Sequence, residues 1–380
     1  MSLHTPICEL LGIKYPVVLA GMGGASSPKL AAAVSNAGGL GILGAAACSP
    51  RRLRTWIQEM RGLTDKPFGV DTLLPASVRR EAYKAGGGPS PMEKLPECQQ
   101  FAKEFMDREG LVMPEREAML REAGIEAIDI EGPPLFTKEF FEAQMEVVIE
   151  EKVAVYAAGL GNPGPWVDRL HANGTKVIAV VGTVRHARQV AQSGIDIIVA
   201  QGHDGGGHNA PIGTMALIPQ VVDVVGDIPV LGAGGIADGR GVAAALMLGA
   251  QGVWIGTAFL ATDECSLRDF QKQAIVDAID EGTMVSRSVT GKPARVLRGK
   301  WPAAWEGAPV QPLPMPFQSM VAMPVLAAAA AAKRSDINPG FAGQALGLIN
   351  AVRPAADVFR DLVTDAERVL ARAAGLGARA

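Results

Sequence analysis

The chain has 380 residues, of which 48 % are hydrophobic and 20 % charged, with 45 glycines and 26 prolines, which excludes a disordered chain and leaves room for one large α/β barrel or two domains. Thirty-six basic residues are interspersed with 39 acidic ones for a net charge of −3, so the electrostatic footprint of a nucleic-acid or anionic-membrane binder is missing. Four cysteines at positions 8, 48, 98 and 265 form no C-x-x-C pair, so neither a disulfide framework nor a zinc site is expected and a reduced cytoplasm fits best.

The N-terminus has no basic stretch followed by an apolar core and is not read as a secretory signal. Along the chain, short β-branched runs are followed by polar or glycine-rich turns and then by helical patterns. Residues 16–20 read as a strand leading through Gly21-Met-Gly-Gly24 into a helix over 27–36, with Ser27 placed to cap it and Pro28 at its first position. Residues 39–44 form a second strand, followed by a helix over 49–60 with the same Ser-Pro start, and residues 67–73 form a third. Further strands are expected at 153–158, 176–181, 195–200, 228–232 and 252–256, separated by helices such as 184–193 and 239–248. Nearly continuous apolar strands alternating with helices indicate a covered parallel sheet. Eight such units point to an α/β fold of the (β/α)8 TIM-barrel type over residues 1–83 and 141–262, with reactive residues on the loops that follow the strands.

Two segments break this rhythm. Residues 84–140 open with Gly86-Gly-Gly-Pro-Ser-Pro91, continue through charged helical sequence and a short strand at 125–130, and read as a lid inserted over the barrel mouth. After Thr262 helices are expected to take over, interrupted by a proline-rich stretch at 308–317. Residues 263–380 then form a helical C-terminal subdomain that covers the site or offers a homodimer surface. The longest apolar tract, 325–332, is far too short to span a bilayer and reads as a helix.

The strand at 195–200 runs into Gln201-Gly-His-Asp-Gly-Gly-Gly-His208. Residues without a Cβ leave backbone amides uncovered, so another molecule can lie directly on such a loop. A histidine, with an unperturbed pKa near neutrality, is the natural proton acceptor beside it. A tight turn carrying two solvated histidines is the alternative. Downstream, Gly232-Ala-Gly-Gly-Ile-Ala237 matches a dinucleotide fingerprint in form. The next strand, however, ends in Gly256-Thr257 with no acidic residue to hold a ribose. Two consecutive turns, at Gly234-Gly235 and Gly256-Thr257, instead offer backbone amides and a hydroxyl where barrels bind a single phosphate.

These blocks, together with residues 17–22, 31–41, 234–241 and 249–260, resemble the nitronate monooxygenase family, formerly the 2-nitropropane dioxygenases. The similarity extends loosely to 290–295 and 342–344. The resemblance implies an FMN-dependent TIM-barrel oxidoreductase. Its FMN phosphate would rest on Gly234, Gly235, Gly256 and Thr257, the flavin ring would lie near Met22, Gln201, Gly206 and Gly207, and His208 would be the catalytic histidine. Asp71 stands where the family commonly places an asparagine against the flavin. An ionised carboxylate there would disfavour a reduced, anionic flavin.

The implied reaction is oxidation of alkyl nitronates or nitroalkanes with O2 to a carbonyl compound and nitrite, His208 removing the acidic C–H proton. Related flavin-dependent enoyl-thioester reductases share most of the blocks, so an NAD(P)H-linked reaction on a CoA or carrier-protein thioester is the alternative. A flavin-binding module without turnover is a third. His203 reads as a supporting or solvated group rather than a metal ligand, and His171 and His186 as surface residues. Trp301 and Trp305 fit either a pocket wall or ordinary core.

Overall fold

The computed structural model describes residues 3–74, 90–115, 133, 137–338 and 340–375. Eight parallel strands carry the fold: β1 (Val17–Leu19), β2 (Gly41–Gly44), β3 (Phe68–Leu73), β4 (Val155–Leu160), β5 (Lys176–Val181), β6 (Ile197–Gln201), β8 (Val230–Ala233) and β9 (Gly252–Ile255). A short strand, β7 (Gly207–His208), stands apart from them. The sheet runs β1-β9-β8-β6-β5-β4-β3-β2. It closes on itself because the Leu19 amide donates to the Leu40 carbonyl at 2.9 Å and the Leu40 amide to the Val17 carbonyl at 3.1 Å. All eight strands fall where the sequence places them, and the architecture is a (β/α)8 barrel.

Alternation along each strand divides the apolar residues into two sets. Val18, Ile42, Val155, Ile178, Val199 and Leu231 fill the barrel interior. Val17, Leu43, Val70, Tyr156, Val177 and Ile198 face the surrounding helices. Burial on both faces is why these strands read as unbroken apolar runs. Several helices are capped by the residue types that announce them. Ser49 Oγ accepts the Arg52 amide at 3.1 Å ahead of Pro50–Leu63, and Asp238 takes the Arg240 amide at 2.9 Å ahead of Gly239–Met247. Ser27 makes no side-chain cap, contrary to expectation; Pro28 alone opens Pro28–Asn36.

The chain beyond Thr262 is not wholly helical. Two strands, β10 (Thr283–Ser286) and β11 (Ala294–Leu297), form an antiparallel hairpin, and β11 pairs in turn with β7. Each run has four residues, and their common partner lies far away in sequence, so no local periodicity announces them. The last helix, Ala355–Ala374, returns to the barrel and packs against Gly239–Met247 and Pro28–Asn36. Gly239 permits that approach, since a Cβ there would lie 2.2 Å from the Ala366 amide nitrogen.

A second core joins the insertion to the tail. Helix Leu95–Glu109 packs on Phe317–Ala331, with Phe105, Trp301, Trp305 and Val325 buried between them. Trp301 is fully enclosed, its ring edge-on to Phe105 at 5.1 Å, so core packing is its role. The strand expected at 125–130 and the glycine run at 86–88 lie outside the described residues. Among the described residues no helix is long and apolar enough to cross a membrane.

Candidate active site

Gln201 ends β6 on its inner face, and its Nε2 donates to the carbonyl of His208 at 2.8 Å. The chain between them is a tight loop. A Cβ at Gly202 would sit 2.2 Å from Thr214 Oγ1, and Gly207, at φ +74°, turns the backbone into β7. His208 then pairs with Ala294 of β11, and its Nε2 lies 2.8 Å from the Thr290 hydroxyl. The hairpin after the barrel thus holds the imidazole in place. Burial and the nearby Lys292 ammonium push the His208 pKa down to about 4. Both causes disfavour the imidazolium, so the ring is held in its neutral form around neutral pH. Lys292 is half-buried, its own pKa lowered by desolvation, and among the described residues no carboxylate pairs with it. His203 has its Nδ1 3.0 Å from the Ala210 carbonyl and supports the loop from behind.

On the opposite wall, Asp71 points inward from β3 between Val70 and Thr72, which belong to the outer layer. Its Oδ1 accepts the Gly159 amide at 3.0 Å. A Cβ at Gly21 would lie 2.3 Å from Oδ2 and one at Gly159 2.6 Å from Oδ1, so two glycine backbones sandwich the carboxyl. Burial raises its pKa well above the usual carboxylate range, and the Gly159 amide offsets only part of that. Met22 lies beside the last strand, its Sδ 3.3 Å from where a Gly256 Cβ would be.

At the remaining corner, Gly234 and Gly235 take φ of +97° and +71°. Among the described residues, the amides of Gly234, Gly235, Gly256 and Thr257 donate to no protein acceptor. The tail crosses just above. Gly343 donates its amide to Thr257 Oγ1 at 2.9 Å, and Gln344 donates its own to the Asp204 carbonyl at 2.9 Å. Gly206 lies under this crossing, where a Cβ would meet the Gly343 nitrogen at 2.8 Å. Gly206 therefore makes room for the tail, whatever else it contacts. A cavity of about 540 Å³ opens outward from Gly234 and Gly235 between Thr214–Val222 and Gly239–Met247.

The sequence model of nitronate monooxygenases matches residues 4–365. The chain belongs to the nitronate monooxygenase family. It is 39 % identical over 376 residues to Rv1533 of Mycobacterium tuberculosis, which its name classes as a monooxygenase, with 96 % of each chain covered. It is 36 % identical over 300 residues to a hydroxy-methyl-oxo-octahydroindene-carboxyl-CoA dehydrogenase of the same organism, covering 78 % of this chain and 67 % of that one. Among solved structures it resembles a nitroalkane oxidase from Streptomyces ansochromogenes at 28 % identity and a TM-score of 0.78, covering 96 % and 99 % of the two chains. As a nitronate monooxygenase family member the chain is an oxidoreductase.

The loop ends bring Met22, Asp71, Gln201, His208, Gly234, Gly235, Gly256 and Thr257 to the mouth of the barrel. His171 is excluded from it: its Nε2 pairs with Asp196 at 2.8 Å at the opposite ends of the strands, and His186 is exposed. Sequence reasoning gave no role to Thr290, Lys292, Gly343 or Gln344. All four lie in the tail blocks that carry the family resemblance, which was the available signal. Gly21 and Gly159 carried none, because only the folded barrel sets them against Asp71.

Proposed function

We propose that the chain binds FMN at the barrel mouth and oxidises alkyl nitronates with O2 to a carbonyl compound and nitrite. The cofactor reading is supported by the free amides at two adjacent turns, one of them shaped by the left-handed Gly234 and Gly235. Gly234, Gly235, Gly256 and Thr257 would hold the phosphate, and Met22, Gln201 and Asp71 would border the ring. When bound, FMN supplies the electron acceptor and the centre that O2 reoxidises.

The observation that carries the substrate reading is a neutral imidazole beside a half-buried, unpaired ammonium. A nitronate arrives already ionised. Lys292 attracts its negative charge, and His208, uncharged and fixed by Thr290, positions it without having to remove a proton. A base pushed down to about 4 abstracts a C–H proton poorly, so neutral nitroalkanes are the slower substrates. Replacing His208 with Asn is expected to lower nitrite release from a neutral nitroalkane by about 100-fold and from the nitronate by less than about tenfold. Equal losses on both would remove any proton-transfer role for His208.

A second reading keeps the flavin but uses NAD(P)H as electron donor and a thioester as substrate. The relative named as a carboxyl-CoA dehydrogenase supports it, as does the cavity that opens outward beside Gly234. The two readings part at the donor, since only the second requires rapid anaerobic reduction of the flavin by NAD(P)H.

A further inference from the structure

The Asp71 carboxyl is 6 % exposed, and among the described residues its second oxygen has no protein partner. Among the described residues no cation reaches it: the adjoining strand ends present Gly21, Gly44, Ala157 and Gly159. Among the described residues the one titratable group coupled to it is Tyr156 on β4, whose hydroxyl is tied to Thr72 at 2.9 Å in the outer layer. A buried carboxylate with one amide donor and no counter-charge is unstable relative to its acid. The acid form leaves one oxygen to accept the Gly159 amide and gives the other a proton to donate inward, toward the side of the sheet that Gln201 also faces.

We propose that Asp71 works as an uncharged carboxylic acid, donating its O–H to an acceptor atom of the ligand ring at the barrel mouth. This rests on the FMN reading for the identity of the acceptor, but not for the protonation state. The negative charge expected from the sequence is then absent, and Asp71 does not oppose build-up of negative charge on a reduced ring.

Two measurements separate these claims. In the unliganded protein, the infrared carbonyl band of a protonated acid should be present in wild type and lost in Asp71→Asn. The unfolding equilibrium of Asp71→Asn relative to wild type should also shift with pH. The raised folded-state pKa makes the native state hold a proton that the unfolded chain releases above about pH 4. Wild type therefore loses stability relative to the variant by about tenfold per pH unit as pH rises, until Asp71 ionises in the native state. A missing band and a pH-independent difference would overturn the protonation claim. With FMN, Asp71→Asn, which keeps a donor, should bind within about threefold of wild type, while Asp71→Ala should bind about tenfold more weakly. Tighter FMN binding by Asp71→Asn at neutral pH would mean a charged carboxylate and would overturn the proposal. If no variant and no wild type binds FMN while the band persists, the cofactor reading fails and the acid stands.

Discussion

The barrel mouth and the second core treat their polar groups in opposite ways. Around Leu95–Glu109 the charges are paired at the surface: Glu109 meets Lys300 at 2.8 Å and Arg334 at 3.0 Å, and Arg334 is bonded to Asp336 at 2.7 Å. Beneath them lie Phe105, Trp301 and Trp305, stacked edge to face. At the mouth, by contrast, Asp71 is buried and His208 and Lys292 are half-buried, none of them with a counter-charge among the described residues. One region lowers the free energy of the fold, while the other leaves polar groups poised for something that is not protein. The contrast shows where to look for function in this chain, because burying ionisable groups without counter-charges costs the fold free energy instead of stabilising it.

The contrast breaks if a substitution in the second core changes chemistry as much as stability. Phe105→Ala should cost about 3–5 kcal/mol in denaturant unfolding, from lost burial and the cavity left behind. Well below its unfolding midpoint, nitrite release should stay within about twofold of wild type. At the mouth the pattern reverses. Lys292→Gln should raise KM for a nitronate about tenfold, with kcat and the midpoint of unfolding nearly unchanged. An unchanged KM would take the substrate's charge out of the recognition scheme.

The pH dependence of stability sharpens the same comparison. The folded-state pKa of His208, pushed to about 4 from 6.5, means that the unfolded chain binds a proton there more readily than the native state. Stability therefore falls as pH drops through the window from 6.5 to about 4. His208→Gln should flatten that part of the curve, measured as melting temperature against pH. The smallest effect is expected at the surface network, where Arg334→Ala should change stability by less than about 1 kcal/mol and disappear further at high salt.

Most of the barrel was legible because each strand is buried on both faces and several helix patterns begin with a recognisable signal. Pro50 after Ser49 and the capping Asp238 are local facts, readable within a few residues. The β10–β11 hairpin was not legible. Its partner is the two-residue strand at His208, and pairing across so long a separation leaves no trace in local periodicity. For the same reason His208 stands out in the sequence while its surroundings do not. Thr290 and Lys292, which set its hydrogen bond and lower its basicity, arrive from a hairpin that local sequence does not announce. Asp71 was named through the family resemblance, yet its surroundings were not legible, because only the closed barrel brings Gly21 and Gly159 against both of its oxygens.

The most direct measurement mixes FMN-loaded protein with a nitronate under anaerobic conditions and follows the flavin absorbance. Rapid bleaching by the nitronate, restored on admitting O2 with release of nitrite, is the expected result. A preparation that takes up no FMN, or one that bleaches with NAD(P)H but not with nitronate, would contradict the assignment of this barrel mouth to nitronate oxidation.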